Sequence, residues 1–151
     1  MSGWAVSASP APLVQERAGI AGDPWRMLVV CVLCNMTPGE RAYPVALALF
    51  DRWPTAEEMS AADPSELEPF LRPLGLWRRR AGTIVRLSRV YAEGGWSDPN
   101  DLPGVGRYAR DAWAIFVEGR DDVSPDDGHL LRYVRWRQDV GTWGTSGMVP
   151  P

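Results

Sequence analysis

Apolar residues in this chain recur at the three- and four-residue spacing of helices. Val45, Leu47, Leu49 and Phe50 form one such set, Ile84, Val85, Leu87, Val90 and Tyr91 a second, and Trp113, Ile115, Phe116 and Val117 a third. No stretch alternates with period two between hairpin signals, so strands are not expected. Start signals punctuate the pattern: Asp23-Pro24, Thr37-Pro38, Asp63-Pro64 and Ser124-Pro125 each join a capping side chain to a proline suited to a first helical turn. Thr37 with Glu40, Thr55 with Glu58, Asp63 with Glu66 and Ser124 with Asp127 also have capping-box spacing. The pattern predicts an all-α fold of roughly seven or eight short helices.

The run from Met27 to Cys34 is apolar throughout and reads as a helix buried on every side. Its Cys31-x-x-Cys34 pair is expected to pack in the core, because the chain holds only these two cysteines and no second pair to complete a zinc or iron–sulfur site. Both ends lack a periodic face. Residues 1–12 are expected to form a flexible N-terminal arm, 13–140 a single domain, and 141–151 a flexible C-terminal tail.

With 151 residues the chain is long enough to bury a core without staples. No apolar run approaches the roughly 18 residues of a membrane span, and the first thirty residues lack a secretory plan. A soluble, intracellular protein with no membrane partner is therefore expected. The net charge of −3 argues against a polyanionic partner only if the charge is evenly spread. All sixteen basic residues are arginine, and lysine is absent.

Chemistry concentrates in two segments. Leu102-Pro103-Gly104-Val105-Gly106-Arg107-Tyr108 places a Gly-x-Gly turn before a helix, a device that lays backbone N–H groups against a phosphate. Ser124-Pro125-Asp126-Asp127-Gly128-His129 then supplies carboxylates.

These segments resemble the helix-hairpin-helix (HhH-GPD) DNA glycosylase superfamily, and most closely the thymine glycosylase domain that in animals is attached to a methyl-CpG-binding domain. Leu13-Val14-Gln15-Glu16, Asp23-Pro24-Trp25, Asn35-Met36-Thr37, Pro73-Leu74-Gly75-Leu76, Ala81 to Val85, the hairpin, and Ser124 to Tyr133 occur in the family's order. The resemblance implies a cleft between two helical lobes. It implies phosphate binding at Gly104, Val105 and Gly106 with Arg107 or Arg110, and catalysis by Asp127, whose carboxylate would stabilise an oxocarbenium-like sugar and position water. Asp126 is the competing neighbour.

Tyr108 stands where the endonuclease III branch has its Schiff-base lysine. A phenol cannot form that adduct, so the reaction is expected to stop at base removal, with Tyr108 bordering the base pocket alongside Gln15. Met36, at the family's intercalating arginine, and Leu74 and Leu76 are expected at the opened duplex. Trp77 and Arg78-Arg79-Arg80 are candidates for stacking and phosphate contacts, and His129 for a secondary DNA contact.

The implied function is monofunctional removal of uracil or thymine from G·U and G·T mispairs in double-stranded DNA. A modified pyrimidine such as 5-hydroxymethyluracil, or a non-catalytic DNA-binding module, stands as the alternative. No iron–sulfur cluster or other cofactor is expected beyond a structural monovalent cation at the hairpin. A monomer in a bacterial or phage-infected cytoplasm, at the nucleoid, completes the expectation.

Overall fold

The first of the long apolar segments becomes the centre of the molecule. In the computed structural model, which describes Ser9 and residues 12–145, α1 (Pro24–Cys34) buries Trp25 and every residue from Met27 to Leu33. A helix with no polar face needs neighbours all round, and these are α2 (Gly39–Arg52), α5 (Trp77–Glu93) and α6 (Arg107–Ala112). The short helices α3 (Ala56–Ser60) and α4 (Pro64–Leu71) pack on α5. A π-helical turn, Trp113–Val117, continues α6. The final helix, α7 (Gly128–Thr145), buries Leu130, Tyr133 and Val134, with the Tyr133 ring 4.7 Å from that of Phe116. Single turns of 3-10 helix lie at Val14–Glu16, Arg72–Leu74 and Pro99–Asp101. The fold is all-α with seven α-helices among the described residues, as the periodicity predicts.

Two of the four start signals cap as expected. The Asp23 carboxylate accepts from the Arg26 N–H at 3.0 Å. Asp63 accepts from the Ser65 N–H at 2.9 Å while Glu66 returns the favour to the Asp63 N–H at 3.0 Å, a reciprocal capping box. The other two differ. Helix α2 begins after Pro38, and the Thr37 hydroxyl instead accepts from Arg80. Helix α7 begins four residues beyond Ser124, where Asp127 is the cap and accepts from the Leu130 N–H at 2.9 Å. A tertiary partner outbids the local cap in the first case; in the second, a better-placed carboxylate does.

At the C-terminal end α7 runs through Thr145, five residues into the stretch expected as a tail. A glycine such as Gly141 costs a helix about 1 kcal/mol relative to alanine, which weakens it without stopping it. Residues 1–8, 10–11 and 146–151, the rest of the expected arm and tail, lie outside the described residues. Ser9 is buried, and its N–H and hydroxyl donate to the Glu16 carboxylate at 2.8 and 2.7 Å. No helix among the described residues is long and apolar enough to cross a membrane.

One polar chain crosses the core. The Trp25 indole N–H donates to the Ser88 hydroxyl at 2.9 Å, which donates to the Ile84 carbonyl at 2.7 Å, fastening α1 to α5. Ser88→Ala strands the indole donor in a dry site and should lower stability by about 1–3 kcal/mol. Urea unfolding checks this, and a midpoint equal to that of the parent would show that the bond contributes nothing.

Candidate active site

The hairpin sits between the Pro99–Asp101 turn and α6. Leu102 anchors it in the core, and its carbonyl accepts from the Val105 N–H at 3.3 Å. Gly104 has φ +79°, and a Cβ there would lie 2.4 Å from Thr83 Cγ2 on α5. Both conformation and packing therefore demand glycine. Gly106 differs: its backbone is extended, and a Cβ would meet nothing within 4 Å. Nothing inside the molecule requires a glycine there.

The two hairpin arginines part company. Arg110 is exposed. Arg107 turns back across the molecule, pairing with Asp126 at 2.7 Å and Asp111 at 3.5 Å and donating to the Ser124 carbonyl at 3.2 Å. It thereby ties the first turn of α6 to the segment that leads into Asp127. Of the two neighbouring aspartates, Asp126 is taken up by this ion pair, whereas Asp127 caps α7 and faces a cleft.

That cleft, about 580 Å³ in volume, collects residues from four places in the chain: Gln15, the corner from Cys34 to Glu40, Tyr108 on α6, and Asp127, His129 and Arg132 at the start of α7. Gln15 is 1% exposed, and its amide donates to the Tyr108 hydroxyl at 2.7 Å and lies 3.8 Å from Cys31 Sγ. The turn carrying it is held by Glu16, which accepts from the Leu13 N–H at 2.6 Å as well as from Ser9.

Burial pushes the Tyr108 phenol pKa up, reinforced by the neighbouring thiols, so the hydroxyl keeps its proton. Burial likewise raises the Cys34 thiol to about 11, opposed by a hydrogen bond from Tyr108. Both cysteines are free; Cys31 is buried in the core as the sequence predicts, whereas Cys34, also expected in the core, is only partly buried and lines the cleft because α1 ends there. His129 is exposed, its Nδ1 within 2.7 Å of an Arg132 guanidinium nitrogen at the rim.

The two segments expected at an opened duplex flank a second hollow of about 330 Å³ next to Gly104 and Gly106. Met36 is 89% exposed and Leu76 55%, while Leu74 is half-buried against the core. Leu76, rather than Leu74, is the side chain presented outward on this loop. The arginine run also divides. Arg78 and Arg79 are exposed, whereas Arg80 is 5% exposed and donates to four oxygens: Leu74 O, Gly75 O, Asn35 O and Thr37 Oγ1. Trp77 carries the Arg72 guanidinium 5.4 Å from its ring centroid.

The profile of the HhH-GPD superfamily of base excision DNA repair proteins matches residues 29–149, which span the hairpin, Tyr108 and Asp127. The chain belongs to the HhH-GPD superfamily. Among relatives of this superfamily member, the methyl-CpG-binding domain protein 4-like protein of Arabidopsis thaliana is 40% identical over 131 residues, 86% of this chain and 29% of that protein. Endonuclease III of Thermotoga maritima is 34% identical over 117 residues, 73% of this chain and 54% of its own. The thymine/uracil-DNA glycosylase of Pyrobaculum aerophilum is 30% identical over 96 residues, 59% of this chain and 42% of that enzyme. The chain thus spans less than two thirds of each of these relatives.

No group of three or more His, Cys, Asp or Glu able to hold a metal ion occurs among the described residues of this HhH-GPD protein. Two features escaped the sequence reading: Arg107 as a tie to Asp126, and Arg80 as a buried fork. The one-turn spacing from Arg107 to Asp111 marks only the intrahelical pair; no local pattern marks the tie to Asp126 or the Arg80 fork.

Gly104→Ala should cost about 1–2 kcal/mol from its left-handed backbone, with the clash against Thr83 in addition. Gly106→Ala should change stability by less than about 1 kcal/mol. Thermal unfolding of the pair checks the contrast, and equal melting points would refute it. The raised Cys34 pKa carries a second expectation. A thiol held up to about 11 from an ordinary 9.0 is protonated when folded and ionised when unfolded across that interval, so its contribution to stability is full below pH 9.0 and is lost toward pH 11. Because the thiolate is the nucleophile, iodoacetamide should label Cys34 slowly at pH 8 in the folded protein and faster as pH approaches 11. Mass spectrometry reads the labelling, and rapid modification at pH 8 would contradict the assignment.

Proposed function

We propose that this HhH-GPD protein is a monofunctional DNA glycosylase that hydrolyses the N-glycosidic bond of uracil or thymine opposite guanine in double-stranded DNA. The observation that carries the reading is the convergence of Asp127, Tyr108 and Gln15 on one cleft in a chain without lysine. The duplex would lie along the hairpin, its phosphate approaching the backbone at Gly106, where the missing Cβ has no intramolecular explanation. Exposed Arg110 would add charge there, and His129 at the rim a further contact. Met36 and Leu76 would fill the space left by the extruded nucleotide.

In the cleft, the Gln15 amide and the Tyr108 hydroxyl would read the edge of the flipped pyrimidine. As the C1′–N bond breaks, its electron pair leaves with the base and the sugar gains oxocarbenium character. The Asp127 carboxylate would stabilise that charge and orient a water, whose oxygen bonds to C1′ as the same carboxylate accepts its proton. The cap that Asp127 makes to α7 supports this role by fixing the carboxylate's direction. Tyr108 carries a phenol and no amine, and the chain has no lysine to form a Schiff base, which supports hydrolysis without strand cleavage.

The exposed Met36, at the position where the superfamily has its intercalating arginine, favours a second reading, in which the target is a modified pyrimidine such as 5-hydroxymethyluracil. One assay separates the readings. Duplexes carrying G·U, G·T or G·5-hydroxymethyluracil are incubated with the protein, and strand breaks are scored with and without alkali. Breaks are expected only after alkali, with no borohydride-trapped adduct, and Asp127→Asn should slow excision by about a thousandfold. Breaks without alkali would exclude the monofunctional reading, and undiminished excision by Asp127→Asn would remove the carboxylate from the mechanism. Binding without excision of any base would mark a non-catalytic DNA-binding module.

A further inference from the structure

Among the described residues, only two non-glycine residues have positive φ: Met36 at 65° and Leu76 at 51°. They are also the two most exposed large hydrophobic residues. A left-handed backbone is disfavoured for side chains of this size, and exposure returns no burial to offset it. Surroundings must therefore hold both conformations.

The two residues lie in separate loops, one between α1 and α2 and the other between α4 and α5. Arg80, from the first turn of α5, reaches both. One guanidinium nitrogen donates to Leu74 O at 3.0 Å and Gly75 O at 3.2 Å; the other donates to Asn35 O at 2.6 Å and Thr37 Oγ1 at 2.8 Å. The acceptors bracket Met36 on both sides and stop one residue short of Leu76. None of the four is a carboxylate, so a buried cation is devoted to neutral groups of two loops. Arg41 adds a bond from α2 to the Pro73 carbonyl at 2.8 Å, on the outer side of the second loop.

We propose that Arg80 is a positioning residue that locks the Met36 and Leu76 loops into one rigid wedge, so that both apolar tips enter the duplex together. It touches neither base nor sugar. Arginine suits the task because its planar fork presents donors in fixed directions, whereas a lysine ammonium reaches fewer acceptors and without that geometry. The 330 Å³ hollow between the tips and the hairpin is the space whose width this fork sets.

The proposal rests on the glycosylase reading for its kinetic consequence but not for its structural one, and the test separates the two. Excision of uracil is measured from a G·U duplex and from a single strand, where no stack must be opened. Arg80→Met should slow the duplex reaction by about tenfold to a hundredfold, the scale of a displaced positioning group, while changing the single-strand reaction less than about threefold. Thr37→Val, which removes one acceptor, should give a smaller loss of the same selectivity, and Arg80→Lys should recover only part of the duplex rate.

Equal losses on both substrates would assign Arg80 to general folding or chemistry, and a parental duplex rate in Arg80→Lys would show that charge alone suffices. Either result overturns the proposal. Hydrogen exchange of the amides at 35–37 and 74–76 in the free protein provides a readout independent of catalysis. Both loops should exchange faster in Arg80→Met, and loosening of one loop alone, or of neither, refutes the coupling even if the parent excises nothing.

Discussion

Everything in this fold is arranged around a helix that has no outside. From Met27 to Leu33, α1 offers no position that water can solvate, so each of its sides must be covered by another element. That demand draws α2, α5 and α6 around it and brings distant parts of the chain to its C-terminal end. The cleft begins where this coverage runs out. Cys34, Asn35 and Met36 are the first residues after the buried run to reach open space, and they stand beside Gln15 and Tyr108 because α1 fixes where α6 and the first turn can lie. The site is thus a by-product of how a fully apolar helix ends.

The fold was legible because its signals are local. Three- and four-residue spacing marks the helices, the absence of alternation excludes a sheet, and Asp23 and Asp63 cap where their side chains predict. The hairpin was legible for the same reason, since Gly104 is demanded by a backbone angle that the Gly-x-Gly pattern announces. Failures occurred where another group competed, distant in one case and local in the other. Thr37 looks like a cap and instead serves Arg80, forty-three residues later. Ser124 looks like another, but the helix starts at Gly128 and Asp127 is its cap, accepting from the Leu130 N–H.

Charged side chains were least legible, because composition reports their number but not their direction. The run Arg78-Arg79-Arg80 reads as one basic patch, yet its third member points inward to neutral oxygens while the first two face solvent. Arg107, the hairpin arginine, is half spent on Asp126 and Asp111. A helix turns by about 100° per residue, so adjacent identical residues fall in different environments. The acidic pair, in the turn before α7, divides as well: one aspartate pairs with arginine and its neighbour caps a helix.

The cap at Asp127 has an evolutionary consequence. Its carboxylate caps α7, so on the proposed mechanism this position answers to two demands: a folded last helix and a carboxylate in the cleft. Asparagine or serine would satisfy the first almost as well as aspartate. If the second demand were lifted, the position could drift without loss of the fold, leaving the helical scaffold intact and the cleft without its carboxylate. Retention of aspartate here is therefore not something that folding alone enforces.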